Sequence, residues 1–153
     1  MPLFLMVELR NLASAICPES ELLLCCARTH ISDELAERVR ALARQQLDWN
    51  LVLSMARIQS IRPLIYWQLK TICSDLVSPE ALDKLKEFFN RNLHRNLQAT
   101  SELIKIVDLL GSQDISVIPY KGPALTALAY GNLGFREFID LDILVRSSDV
   151  WQV

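Results

Sequence analysis

The sequence is poor in the residues that build metal sites and disulfide frameworks. It has 2 histidines and 4 cysteines, and no two cysteines form the Cys-x-x-Cys pair that zinc sites use. Neither a zinc site nor a disulfide-stapled fold is indicated. Free cysteines in apolar stretches are usually buried thiols, and they are typical of proteins in a reducing compartment. We therefore expect four buried thiols: Cys17, Cys25, Cys26 and Cys73.

An excess of either charge and a long apolar run are also lacking. Sixteen Lys plus Arg against 18 Asp plus Glu leave a formal net charge of -2, so no basic footprint for nucleic acid is indicated. The apolar stretch Met1–Val7 is cut short by Glu8 and has no basic flank. It is too short for a signal peptide or a membrane span. We expect a cytoplasmic protein without a membrane segment.

What the chain does have is a strong helical pattern in its first two thirds. Apolar residues make up 51% of 153 residues, enough for about one folded domain. Ser32 is a predicted N-cap, and Ile61–Pro63 breaks and restarts a helix. Ser78–Pro79 predicts the start of a long helix that ends near Gly111, with an apolar stripe that includes Leu93, Leu97 and Ile104.

The pattern changes after Gly111. A short β-prone run, Ile115–Pro119, is followed by the turn Tyr120–Pro123 and a small-residue helix, and then by the clearest strand, Phe138–Val145. The predicted fold class is α+β, with a mainly α-helical N-terminal region followed by an incomplete β-α-β core. We place the helical region at residues 1–111 and the core at residues 112–153.

Two carboxylates stand out in the second strand. Side chains alternate between the faces of a strand, so Asp140 and Asp142 should share one face, with Cα atoms roughly 6.5 to 7 Å apart. That spacing suits one hard cation or a metal pair. The alternative is a solvent-facing pair on an exposed strand, which is the usual explanation for an isolated Asp-x-Asp.

The order of these motifs resembles a known family. Lys121-Gly122, Tyr130, Arg136 and the strand from Asp140 to Val145 are similar to the uncharacterised nucleotidyltransferase family of the DNA polymerase β-like superfamily. The helical region ahead of them is similar to the N-terminal part of that family.

The resemblance implies a function and a set of site residues. Asp140 and Asp142 would be the catalytic, metal-binding aspartates that hold Mg²⁺ (or Mn²⁺), and Lys121, Gly122 and Arg136 would bind a nucleoside triphosphate. The nucleotidyl group would pass to an unknown acceptor. The chain departs from the superfamily pattern at Pro123, where a serine or glycine usually follows the turn glycine, so a backbone donor and a hydroxyl are missing there. Lys121 and Arg136 are also open to simpler interpretations, as a surface lysine and a salt-bridge partner.

The superfamily's third carboxylate has no clear counterpart. Asp149 is the one candidate after Asp142, and hairpin geometry would put it in a turn. We therefore expect a truncated, inactive member. The rival hypothesis is a non-catalytic helical module whose apolar helices bind a protein partner or a second copy of the chain.

Two polar stripes complete the sequence features. The first combines Glu34 and Glu37 with nearby arginines, which is typical of an ion-paired helix face. The second lies on the long predicted helix and could meet phosphate or simply face water; it contains Asn90, Arg91, Asn92, His94, Arg95 and Asn96.

Overall fold

The computed structural model describes residues 17–152, which divide into two compact units, one up to Leu85 and the other from Lys86 onward. The stretch Met1–Val7, and with it the start of the predicted helical region, lies outside the described residues. The architecture is a mainly helical α+β fold, as predicted. The division between the units falls within the longest helix, and the predicted boundary at residue 111 stays a prediction.

Four helices lie wholly within the described part of the first unit, residues 17–85. They are α1 (Pro18–Cys26), α2 (Asp33–Ala43), α3 (Trp49–Ile58) and α4 (Arg62–Cys73). The long helix α5 (Pro79–Gly111) starts in this unit.

Capping residues explain where these helices begin. The Ser32 hydroxyl accepts from the backbone N–H of Leu35 at 3.4 Å, and Asp48 caps α3 by accepting from Asn50 and Leu51. Such bonds satisfy N–H groups that have no partner inside the helix. Proline occupies the first turn of α1 and of α4, where its missing N–H costs nothing. The predicted N-cap at Ser32 and the restart near Pro63 are confirmed.

The core of the first unit is apolar and its rim is ion-paired. Arg38 makes two bonds to the Glu21 carboxylate, at 2.7 and 2.8 Å, and so links α2 to α1. Arg40 pairs with Glu37 on α2, which confirms the predicted ion-paired face. The fully buried side chains here include Leu22, Cys26, Val39, Leu42, Val52, Ile65 and Leu69.

The thiols follow the expectation with one exception. Cys25, Cys26 and Cys73 are buried and unbridged, and burial raises the pKa of the Cys73 thiol to about 11. Cys17 is exposed, because it precedes α1 at the N-cap position. In the described part of the chain, no helix has the length and apolarity that crossing a bilayer requires.

The second unit carries a small sheet after α5. Strand β1 (Val117–Tyr120) is followed by a short helix α6 (Gly122–Leu125), a π-helical turn (Thr126–Tyr130) and strand β2 (Asp142–Val145). The two strands are antiparallel. Helix α5 ends at Gly111, as predicted. The first strand overlaps the predicted run Ile115–Pro119 but starts at Val117 and includes Tyr120, which was predicted in the turn, and the second is shorter than the predicted Phe138–Val145.

Candidate active site

The Lys-Gly turn is a strained backbone segment between β1 and α6. Lys121 has φ 58° and ψ -142°, and Gly122 has φ 40°. A side chain rarely adopts such angles, whereas glycine does so freely. The turn is held from the helix side, because the Leu125 N–H donates to the Lys121 carbonyl at 3.0 Å and the buried Thr126 hydroxyl donates to the Gly122 carbonyl at 2.7 Å.

Gly122 brings this turn against the segment that carries the aspartates. A Cβ atom at Gly122 would lie 3.4 Å from the Asp140 carbonyl oxygen and 3.9 Å from side-chain atoms of Leu141 and Phe138. Two motifs about twenty residues apart in the sequence therefore touch in the fold. Pro123 lies in the first turn of α6, so that turn offers one backbone donor fewer, as the sequence indicates.

The position of Asp142 is fixed by the sheet. Asp142 is the first residue of β2 and lies opposite Tyr120, the last residue of β1; further along the ladder Leu144 lies opposite Ile118. Alternation places these four side chains on one face. That face is the more open one, since Ile118 is 65% exposed and Leu144 is 51% exposed.

Asp140 lies outside the strand, which corrects the prediction of one continuous strand from Phe138. The reason is the turn at Lys121, which takes the chain away from the ladder after Tyr120, so the residues before Asp142 have no β1 partner to pair with. Phe138, at the start of this segment, is 6% exposed. Alternation along a strand therefore does not fix the direction of the Asp140 side chain.

The two carboxylates are accessible to a ligand. Asp140 is exposed and Asp142 is half-buried, and neither side chain has a hydrogen bond or ion pair with any residue that the structure describes. Between residues 17 and 152 no group of three or more His, Cys, Asp or Glu side chains could hold a metal ion. Hard oxygen ligands suit Mg²⁺, which commonly takes one or two protein carboxylates together with water and substrate phosphates. The donor set thus fits one such cation, with no third carboxylate from the described residues.

Two basic residues belong to the turn and the loop that adjoin the aspartate segment. The Lys121 amine lies 5.2 Å from the centre of the Tyr120 ring, and Tyr120 is the ladder partner of Asp142. Arg136 lies four residues before Asp140 in the connecting loop. One of its guanidinium nitrogens, Nη1, is buried and has no hydrogen-bond partner among the described residues.

The loop that carries Arg136 is held by two asparagines of α5 that sequence reasoning missed. The Asn92 side-chain amide donates to the carbonyls of Gly134 and Arg136 at 3.0 and 3.1 Å. The Asn96 amide donates to the carbonyls of Leu133 and Arg136 at 2.6 and 2.9 Å.

The burial of these asparagines corrects the prediction for two members of the polar stripe, whereas its other four members, Asn90, Arg91, His94 and Arg95, are exposed, as the water-facing alternative predicts. Asn92 is 2% exposed and Asn96 is 0% exposed, so they neither face water nor meet a phosphate. Conversely, Leu97 is 50% exposed and Ile104 is 56% exposed, so these two members of the predicted apolar stripe do not lie on the buried face. The buried positions Phe89, Asn92, Asn96, Leu103 and Leu110 follow helical spacing, and that register is the signal that could have found the asparagines.

Asp149 lies in a turn, as the sequence predicts. Its backbone N–H donates to the Arg146 carbonyl at 2.9 Å, and its carboxylate accepts from the Ser148 hydroxyl at 2.6 Å. The carboxylate is therefore engaged locally.

Comparison with known proteins identifies the family. The model of a family described as uncharacterised nucleotidyltransferase matches residues 45–153, and this stretch includes α3 to α5 and the whole small sheet. No curated protein and no solved structure matches the chain. Because the match covers more than half of the sequence and contains the Lys-Gly turn, Arg136 and both aspartates, the chain belongs to the uncharacterised nucleotidyltransferase family.

Proposed function

We propose that this chain carries a nucleotidyltransferase site in which Asp140 and Asp142 hold Mg²⁺ or Mn²⁺ and Lys121 and Arg136 contact a nucleoside triphosphate. The observation that supports the proposal is the close approach of Gly122 to the Asp140 backbone, which brings the Lys-Gly turn against the segment that carries the two aspartates. Family membership supports the nucleotide as substrate.

The charges of these residues suit the parts of such a substrate. A triphosphate is strongly anionic, and Lys121 offers a point charge from a rigid turn. The Arg136 Nη1 atom is a buried donor with no hydrogen-bond partner among the described residues. A buried donor without a partner is costly unless a ligand satisfies it. The missing donor at Pro123 leaves phosphate contact to these side chains rather than to the start of the helix.

The reaction would be an in-line displacement. An acceptor hydroxyl oxygen forms a bond to the α-phosphorus, the bond from that phosphorus to the bridging oxygen of the β-phosphate breaks, pyrophosphate leaves and the hydroxyl proton passes to solvent. A bound divalent cation supplies stabilisation of the charge that develops on the phosphate oxygens. The role of the chain's own residues is to place that cation and to orient the triphosphate.

Nucleotide binding tests the proposal directly. Isothermal titration calorimetry with ATP, GTP, CTP and UTP, each at fixed Mg²⁺, should detect at least one nucleotide. Lys121→Ala and Arg136→Met should each weaken its affinity about tenfold, the effect of losing about 1.4 kcal/mol. The matched control is Lys105→Ala, which removes an exposed lysine that is paired with Glu102 on α5. Absence of binding to all four nucleotides, or equal affinity in all variants, would contradict the proposal.

A further inference from the structure

We infer that Asn92 and Asn96 are positioning residues of the candidate site, because they clamp the loop before Asp140 and so fix where the Arg136 guanidinium stands. The inference rests on the proposed function for its nucleotide, but it makes a claim about Arg136 that can be tested without one. The clamp is defined as the two asparagine side chains and the three loop carbonyls that they bind, those of Leu133, Gly134 and Arg136.

The clamp supplies hydrogen-bond donors to the carbonyl groups of a loop that has little regular structure of its own. Asn92 and Asn96 are one helical turn apart on α5, so both amides reach the same side. Both donate to the Arg136 carbonyl, which uses the two lone pairs of that oxygen. A buried carbonyl without a donor would be costly. The Arg136 backbone is thus held twice from one helix face.

The chemistry requires amides rather than carboxylates at these two positions. All the loop groups that they bind are carbonyl oxygens, so each side chain must present an N–H. The exposed Arg95 reinforces this orientation, because its guanidinium donates to Asn92 Oδ1 at 3.0 Å. With that oxygen engaged, the Asn92 amide group is turned toward the loop.

The loop also packs against an aromatic side chain on the same face of the helix. A Cβ atom at Gly134 would lie 2.8 Å from Cζ of Phe89, so the loop backbone lies directly on that ring. The Phe89 and Phe135 rings are 6.5 Å apart, centre to centre. The Gly134 N–H donates to the Asn132 side chain at 2.8 Å. The loop backbone is therefore fixed, whereas the Arg136 Nη1 atom has no hydrogen-bond partner among the residues described.

This combination distinguishes a positioning role from a merely structural one. Two buried atoms of this region have no hydrogen-bond partner among the described residues, Arg136 Nη1 and Asn96 Oδ1, and a ligand-binding arginine must be rigid and have unused donors before the ligand arrives. The same loop leads within four residues to Asp140. The clamp therefore fixes the backbone at Arg136, four residues before the first aspartate.

The first test reads the position of the arginine without nucleotide. Phenylglyoxal modifies accessible guanidinium groups, and mass spectrometry of the full chain after digestion gives the rate at Arg136 relative to the exposed Arg146. The variants are Asn96→Ser, Asn92→Ser and Arg95→Met; the last changes an exposed residue, so folding is retained. Asn90→Ser, exposed on the same helix, is the matched control.

We expect modification of Arg136 to become at least fivefold faster in the three variants and to stay unchanged in Asn90→Ser. Circular dichroism identifies any variant that fails to fold, and Arg95→Met then decides. An unchanged rate at Arg136 in the folded variants would overturn the inference.

The second test measures coupling to nucleotide binding. With Mg²⁺ and ATP, Asn96→Ser should weaken affinity about as much as Arg136→Met, and the double variant should lose little more, because both changes remove the same contact. Additive losses would overturn the positioning role. If the wild-type chain binds none of the four nucleotides, the proposed function fails on its own, and the phenylglyoxal rates still decide whether the clamp positions Arg136.

Discussion

The strained turn at Lys121 predicts that one substitution will stabilise the fold while weakening its proposed activity. At φ 58° and ψ -142°, Lys121 occupies a region that is nearly exclusive to glycine and costs a side-chain-bearing residue about 1 to 3 kcal/mol. Lys121→Gly should release that strain. It should also remove the positive charge that we assign to the triphosphate.

The comparison with Lys121→Ala isolates the backbone term. Both variants lose the amine and its contact with the Tyr120 ring, and alanine keeps the strain. Part of this gain, roughly 0.5 to 1 kcal/mol, is lost because glycine gives the unfolded chain more conformational freedom than alanine does. The net expectation is that Lys121→Gly is more stable than Lys121→Ala by about 1 kcal/mol, which is about 2 to 4 °C in melting temperature for a domain of this size.

Urea and thermal unfolding followed by circular dichroism measure this difference, and calorimetry gives nucleotide affinity for the same samples. Ser60→Gly is the control, since Ser60 also has a positive φ, 54°, but lies far from the Lys-Gly turn in sequence. It should leave nucleotide affinity unchanged. A Lys121→Gly protein that is less stable than Lys121→Ala would refute the strain argument, and undiminished nucleotide affinity in both would refute the assigned role of the lysine.

Three further outcomes are expected. Gly134→Ala should destabilise the chain by about 1 to 3 kcal/mol in urea unfolding, because the new methyl group would overlap the Phe89 ring; a neutral result would show that the loop does not lie on that ring. Arg38 lowers the pKa of Glu21, so this carboxylate stabilises the fold above its unfolded pKa and loses that effect as pH falls through the lower folded pKa. Glu21→Gln should therefore cost about 0.5 kcal/mol at pH 7 and flatten the acid side of the stability profile, and an unchanged profile would contradict the pairing. Alkylation at pH 8 should label the exposed Cys17 quickly and the three buried thiols slowly; four equal rates would contradict their burial.

The helices of the first unit could be predicted well because capping side chains and prolines close to each boundary determine where the helices begin. Ser32 caps α2 through its own side chain, and Pro63 and Pro79 mark helix starts through their fixed φ. These signals act within one turn, so they need no knowledge of the tertiary structure. The end of α5 at Gly111 was equally local.

The site was only partly predictable because its geometry depends on long-range contacts. Alternation identified the strand of Asp142, but the strand begins where β1 supplies a partner, and this excluded Asp140 from the ladder. The burial of Asn92 and Asn96 depends on carbonyl groups of a loop some forty residues away. Polar residues on a helix suggest a wet face, and only the loop's need for donors reverses that expectation.

The central claim is that Asp140 and Asp142 hold a divalent cation, and a Mn²⁺ titration followed by electron paramagnetic resonance tests it most directly. The wild-type chain should bind Mn²⁺ at one site, Mg²⁺ should displace it, and Asp140→Asn with Asp142→Asn should abolish binding. Asp149→Asn, which changes a carboxylate already bonded to Ser148, should bind as the wild type does. Absence of Mn²⁺ binding in the wild type, or equal binding in the Asp140→Asn, Asp142→Asn double variant, would contradict the account.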